Sequence, residues 1–295
     1  MNNIAVGRLW HRKGKHEYYS IKQLVENFKE IDLDFHIVLN EPDYEDEWSK
    51  KIDALNIRST YYSKENMDEY FKRSYPALEY LIKDFPNFIH FYHILIGHYL
   101  RRVLLYDYML TQEYDVIFNG NLKEVKDALK NKIPFGVCEP QNPFCDKSLL
   151  QGICNLYQTD LTVLMRNNNP NLLGINAGFQ GINLRLFDEF LSTSNLTALL
   201  QLFDFEGIYD KDGKEKWGQK RTLFDTQEQS FYSIMNQISS TNFLVLPTED
   251  YYFWPCWEDF EGYIDQAMKS KIVHFTGHKK ASKLFELIDQ GVKEI

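Results

Sequence analysis

The chain has 295 residues, 44% of them hydrophobic, enough to bury the core of one large domain or two small ones. A formal net charge of -9 is opposite to the basic stripe of a nucleic-acid binder, so nucleic acid is not an expected partner. Four cysteines without a CxxC pair argue against a zinc site and for a reducing, cytoplasmic compartment.

The opening "MNNIAVGRLW" lacks the apolar segment of a secretory leader, and no window approaches the roughly 18 apolar residues of a membrane helix. "NIAVG" (3–7) reads as a short strand ending in Gly. "YYSIKQLVENFKE" (18–30) carries apolar residues at helical spacing, and "DFHIVLN" (34–40) reads as a second strand. "EDEWSKKIDALN" is helical again, and "IRSTYYS" reads as a third strand. This alternation predicts a parallel sheet covered by helices, whose ligands gather at the carboxyl ends of the strands. Gly7 and Arg8 are thereby placed where a nucleotide could lie, with a plain tight turn as the alternative.

Helices are expected over 67–83 and 88–110, the second containing the apolar "FIHFYHILIGHYL". "IPFGVCE" (133–139) is a strand; 161–187 gives a strand, a turn at Asn167–Pro170, a Gly-rich stretch and an apolar continuation. An amphipathic helix over 226–238, strands at 242–247 and 271–277 and a closing helix complete the chain. The Lys-rich segment 209–221 reads as a mobile surface loop. Aromatic residues reach 15%, which suits stacking on sugar or base rings and is equally the mark of compositional drift.

One run raises a chemical question. In "EYDVIFNGNLKEV" (113–125), Glu113 and Asp115 stand two apart at the lip of the apolar strand Val116–Phe118. Burying bare carboxylates is costly unless something pairs with them, and a cation is one such partner. Alone, the pair reads as readily as solvated turn acids.

Four blocks in order resemble the retaining GT-A glycosyltransferases of family 8, which include glycogenin and bacterial lipopolysaccharide hexosyltransferases. They are the opening strand–helix–strand, "YDYMLTQEYDVIFNGNLKEV" (106–125), "INAGFQGINLRLF" (175–187), and "EQSFYSIM" (228–235) with Leu246-Pro247 and "IVHFTGHKK" (272–280). The second block lies without a gap on the family's Asp-x-Asp segment, with Glu113 and Asp115 on the acidic pair. Glu113 and Glu228 stand where the family has Asp, and Ala281 and Ser282 where it has Pro-Trp. The usual acidic pair after the first strand is replaced by the basic "VGRLWHRKGKHE".

The resemblance implies an α/β GT-A fold, with a Rossmann-like mixed sheet flanked by helices, in a single domain spanning 1–295. Its nucleotide-sugar half is 1–125, and its acceptor and catalytic half is 126–295. It implies a hexosyltransferase in glycan biosynthesis, moving a hexose with retention from a UDP-sugar to a glycan or glycolipid hydroxyl. Peripheral membrane contact goes with such acceptors. Glu113, Asp115 and His274 would hold Mn2+ or Mg2+, and Lys280 and Gly277 would meet the diphosphate. Arg101 would face the diphosphate or the acids, Tyr18 would stack on a uracil ring, and Tyr114 joins the nucleotide side. Asn176, Gly178 and Asn183 would line the sugar pocket, and Gln229 and Glu228 would face the reacting sugar. Acceptor contacts are expected in 141–160 and 203–224. Two alternatives stay open: a metal-independent transferase with Asn119 and Asn121 in the acidic motif's place, or a degenerate scaffold that binds nucleotide or glycan without transfer.

Overall fold

The computed structural model describes residues 3–76, 79, 89–138, 175–185, 242–246, 250–254 and 269–275. The helices expected over 226–238 and at the chain's end, the turn at Asn167–Pro170 and the loops 141–160, 203–224 and 209–221 lie outside the described residues.

The first strand, β1 (Ile4–Trp10), is buried along its whole length. It pairs in parallel with β2 (Leu33–Leu39) on one side and β4 (Met109–Gln112) on the other. β3 (Ser59–Ser63) extends the parallel set beyond β2. β7 (Ile175–Ile182) runs antiparallel to β4 and to β6 (Phe135–Cys138), and β8 (Leu244–Leu246) pairs with β6. The result is a mixed seven-stranded sheet in the order β3-β2-β1-β4-β7-β6-β8, the α/β class that the sequence predicts. A second sheet, β5-β10-β9, is built from β5 (Val116–Phe118), β10 (Ile272–Phe275) and β9 (Tyr251–Trp254).

Helices connect the parallel strands, as crossovers must. α1 (Lys15–Asn27) follows β1 and buries Tyr19, Ile21 and Leu24. α2 (Glu47–Asp53) opens on a capping box in which the Asp46 carboxylate accepts from Ser49 N–H and the Ser49 hydroxyl accepts from Asp46 N–H. α3 (Lys64–Ser74) starts at Ser63, whose hydroxyl accepts from Asn66 N–H. α4 (Ile89–Arg102) and α5 (Lys123–Lys130) complete the described helices, none of which is long and apolar enough to cross a membrane.

Several boundaries differ from the sequence expectation, among them α3, which starts at Lys64 and ends at Ser74 with Tyr75 as its C-cap, instead of spanning 67–83. β1 runs on to Trp10, so Gly7 lies at mid-strand rather than at a carboxyl end. A Cβ there would come 2.9 Å from Met109 Sδ and 3.4 Å from Ile96 and Leu100, so Gly7 makes room for its packing neighbours. α1 begins three residues earlier than expected, at Lys15. α4 stops at Arg102 instead of running to 110, because Leu105 adopts the left-handed conformation (φ 61) that an α-helix cannot continue.

The two sheets share one core. Phe118 of β5 meets Phe28 edge-on at 5.7 Å and Phe179 of β7 at 4.9 Å, and Phe179 meets Phe135 of β6 at 5.3 Å. The Gln23 side chain on α1 accepts from Phe118 N–H at 3.1 Å, which ties the second sheet to the first crossover helix.

Candidate functional site

β1, β2, β3 and β4 point the same way, and Glu113 comes directly after the carboxyl end of β4. The chain then turns within three residues: Val116 N–H donates to the Glu113 carbonyl at 3.3 Å, and Glu113 N–H donates to the Gly178 carbonyl of β7 at 2.8 Å. Glu113 and Asp115 therefore sit on a tight acidic turn between β4 and β5. β10 pairs antiparallel with β5, with His274 opposite Val116, which brings the imidazole across from the turn.

The three side chains converge. His274 Nε2 lies 3.1 Å from Glu113 Oε2 and 3.4 Å from Asp115 Oδ1, and one ligand atom from each residue falls within 4.8 Å of the others. His274 and Asp115 are buried, at 3% and 5% exposure, while Glu113 is partly open to solvent. Asp115 Oδ1 is at ion-pair distance from the imidazole yet makes no well-directed hydrogen bond, so a buried carboxylate oxygen is left short of a partner. A divalent ion with bonds of about 2.1 Å keeps neighbouring ligand atoms about 3 Å apart, close to the separations found here. Two carboxylates and one imidazole form a mixed oxygen–nitrogen set compatible with a divalent metal ion. The residues present fit such an ion.

The electrostatics agree with a site that lacks positive charge. Burial alone would push the His274 pKa down, but the Asp115 and Glu113 carboxylates raise it to about 10. Burial raises the Asp115 pKa, with Glu113 adding to the rise and His274 opposing it. At neutral pH the trio thus holds a proton on the imidazole, in the place a cation would take. Tyr114, between the acids, stacks on His16 at 5.8 Å, and burial followed by the Asp115 and Glu113 charges raises its pKa well above that of a free phenol.

Arg8, expected to face a nucleotide, is 1% exposed. Its guanidinium donates to Ser20 Oγ at 2.8 Å and to Gln112 Oε1, beneath the acidic turn. Burial lowers its pKa to about 9 while Glu17 opposes the fall, so the group is charged at neutral pH. Tyr18 is half-buried against Tyr19 and Trp48, at 5.2 and 5.7 Å.

Arg101 and Asn183 do not join the site. Arg101 donates to Asp107 Oδ1 at 2.7 Å and to the Tyr106 carbonyl, before β4 begins, whereas the acids follow β4's other end. The β4–β7 register pairs Gln112 with Phe179 and Met109 with Ile182. Gly178 therefore lies beside Glu113, while Asn183 lies at the far end of the strand pair, where its Nδ2 donates to the Lys132 carbonyl at 3.1 Å. Asn176 is in β7, near the end that holds Gly178. Asn119 and Asn121 follow β5, and Asn119 N–H donates to the Lys271 carbonyl at 2.8 Å, away from His274 along β10. Glu228, Gln229, Gly277 and Lys280 lie outside the described residues.

One residue at the site escapes the sequence. The Tyr251 hydroxyl on β9 stands 2.9 Å from His274 Nδ1 and is positioned to fix the orientation of the ring. A Tyr-Tyr-Phe-Trp run carries no signal for this, since only the pairing of β9 with β10 brings Tyr251 to the histidine.

No protein-family model and no curated protein matches the chain. Solved structures resemble it. Mouse xyloside xylosyltransferase 1 is 13% identical, with 92% of this chain and 97% of that one covered and a TM-score of 0.49. The bifunctional glycosyltransferase WbbM is 14% identical, with 94% and 46% covered and a TM-score of 0.48. The galactosyltransferase LgtC, solved with donor and acceptor sugar analogs, is 13% identical, with 97% and 96% covered and a TM-score of 0.47. At these values the likeness is one of outline, and function has to be argued from the side chains themselves.

Proposed function

We propose that the chain is a GT-A glycosyltransferase that moves a hexose, with retention, from a UDP-sugar to a glycan hydroxyl with the help of a divalent cation. One observation carries this: an acidic pair from mid-chain and an imidazole from near the end meet at the carboxyl edge of a parallel strand set. Ligands of open α/β sheets bind at that edge.

In this reading Glu113, Asp115 and His274 hold the ion, which supplies Lewis-acid stabilisation of the departing diphosphate. His274 must first give up its proton, because only the neutral imidazole has a lone pair at Nε2 for ligation. Tyr251 then accepts from Nδ1–H and keeps Nε2 turned toward the acids. The backbone of β7 at Gly178, hydrogen-bonded to Glu113, flanks the space where the sugar would sit. Gln229 and Glu228 are assigned to the reacting sugar, and Lys280 and Gly277 to the diphosphate, by the sequence resemblance.

The test is turnover of UDP-sugars with Mn2+ and with EDTA. Transfer or hydrolysis that stops on chelation and returns with Mn2+ is the expected result. Equal rates under both conditions would remove the metal from the proposal, and no turnover with any UDP-sugar would remove the enzyme.

A further inference from the structure

We infer that Arg8 is a positioning residue that presets the acidic turn for its cation, and that its forked side chain acts by gripping both ends of that turn. The inference rests on Glu113, Asp115 and His274 being the ligands of a divalent ion.

The geometry is a pair of two-step relays from one guanidinium. On one arm Arg8 Nη1 donates to Ser20 Oγ at 2.8 Å, and the Ser20 hydroxyl donates to the Glu113 carbonyl at 3.4 Å. On the other, Arg8 Nη2 donates to Gln112 Oε1, and Gln112 Nε2 donates to the Val116 carbonyl at 3.0 Å. The two carbonyls bracket Glu113-Tyr114-Asp115. The Glu113 carbonyl is also the acceptor that closes the turn with Val116 N–H. A planar group with donors in a fixed fork can set both brackets at once, whereas the ammonium of a lysine is a single point with rotating donors.

Burying an arginine completely is expensive, and a surface role would not demand it. Arg8 and Ser20 are each 1% exposed and Gln112 4%, so the hydrogen bonds that Arg8 makes to both relays, and the Gln112 step, are shielded from water that would loosen them. The acid whose charge the guanidinium feels is Glu17 on the same helix as Ser20, so the fork reaches the turn through its hydrogen bonds. Arg8, Ser20 and Gln112 come from β1, α1 and β4, so the fork couples the first crossover unit of the fold to the lip of the site.

The experiment measures Mn2+ affinity directly, by electron paramagnetic resonance of free Mn2+, without nucleotide or turnover, and fold separately by thermal melts in EDTA. Ser20→Ala and Gln112→Met each cut one arm, Arg8→Lys keeps the charge and removes the fork, and Ser20→Thr keeps the relaying hydroxyl. Loss of a partner that orients a ligand commonly weakens metal binding about 10-fold or more. Ser20→Ala, Gln112→Met and Arg8→Lys are each expected to bind Mn2+ about 10-fold more weakly while still melting cooperatively, with Ser20→Thr restoring wild-type affinity. If Arg8→Lys does not fold, the two single-arm variants decide. Lower melting temperatures with unchanged Mn2+ affinity in both would overturn the inference and leave the metal site standing. Absence of Mn2+ binding by the wild-type chain would overturn the site and the inference together.

Discussion

The Tyr251 hydroxyl and His274 Nδ1 stand 2.9 Å apart, while Nε2 of the same ring faces Glu113 and Asp115. A ring held at one nitrogen presents the other in a fixed direction. Tyr251→Phe removes the hold with little change in volume at a residue 7% exposed. It should weaken Mn2+ binding by about 10-fold, measured by titration, with only a small change in melting temperature. Unchanged affinity would show that β-sheet pairing alone orients the ring.

The proton on His274 makes metal binding depend on pH. Its folded-state pKa, raised to about 10 by the two carboxylates against the effect of burial, lies above the ordinary value of 6.5. The stability this contributes to the metal-free protein is therefore complete below about pH 6.5 and is lost as pH rises through about 10. Binding an ion expels that proton, so affinity runs the other way. Between pH 6.5 and 8.5 the Mn2+ affinity should climb by up to about tenfold per pH unit, with about one proton released per ion bound. Calorimetry in buffers of different ionisation enthalpy counts that proton. A pH-independent affinity with no proton released would mean that the imidazole is already neutral in the free site.

Local pattern made α1 to α4 and most strands legible in the sequence, though not α5 or β4, because helical spacing and short apolar runs are properties of neighbouring residues. The acids and His274 were reached through ordered motifs rather than through their chemistry, since 161 positions separate Glu113 from His274. What stayed hidden depends on register. Arg101 and Asn183 are near the site in sequence order, yet a four-residue strand, β4, puts them at its opposite end. Arg8 read as a residue facing a nucleotide because its partner Gln112 is 104 residues away. The high aromatic content drew attention to ring stacking on ligands, yet Phe28, Phe118, Phe135 and Phe179 fill the core.

Placing the acidic motif at Glu113/Asp115 or at Asn119/Asn121 leads to opposite outcomes. Glu113 and Asp115 share a cluster with His274, while Asn119 follows Phe118, which pairs with Ile272 rather than His274, and is fastened through its backbone to Lys271. The double variant Glu113→Ala with Asp115→Ala should abolish Mn2+ binding and Mn2+-dependent turnover while keeping a cooperative melt. Asn119→Ala with Asn121→Ala should retain both. The reverse pattern, with metal-free activity surviving loss of the acids, would favour the asparagines.

Leu105 offers a gain in stability. It is 75% exposed, and its φ of 61 lies where a side chain's Cβ crowds its own backbone. Glycine meets no such clash, and exposure at this position leaves little burial to lose. Leu105→Gly should raise stability by about 0.5–1 kcal/mol, read as a small upward shift in melting temperature, despite the extra freedom glycine gives the unfolded chain.

Gly181 is the opposite case, where substitution should do the most harm. A Cβ there would fall 2.0 Å from the Tyr108 hydroxyl oxygen and 2.4 Å from Phe135 Cε1. Neither can retreat cheaply: Tyr108 is fully buried and donates to the Ile133 carbonyl at 2.7 Å, and Phe135 packs on Phe179. Gly181 pairs with Leu110 on one side and Phe135 on the other, so any shift passes into β4, whose end carries Glu113. Gly181→Ala should cost about 1–3 kcal/mol or more, the range for forcing extra volume into a packed core. Denaturant melts measure the loss, and Mn2+ titration of the folded fraction shows whether it reaches the acids. A cost under about 0.5 kcal/mol, the usual scatter of surface substitutions, would mean that β4 and β6 are not locked against β7 by these two rings.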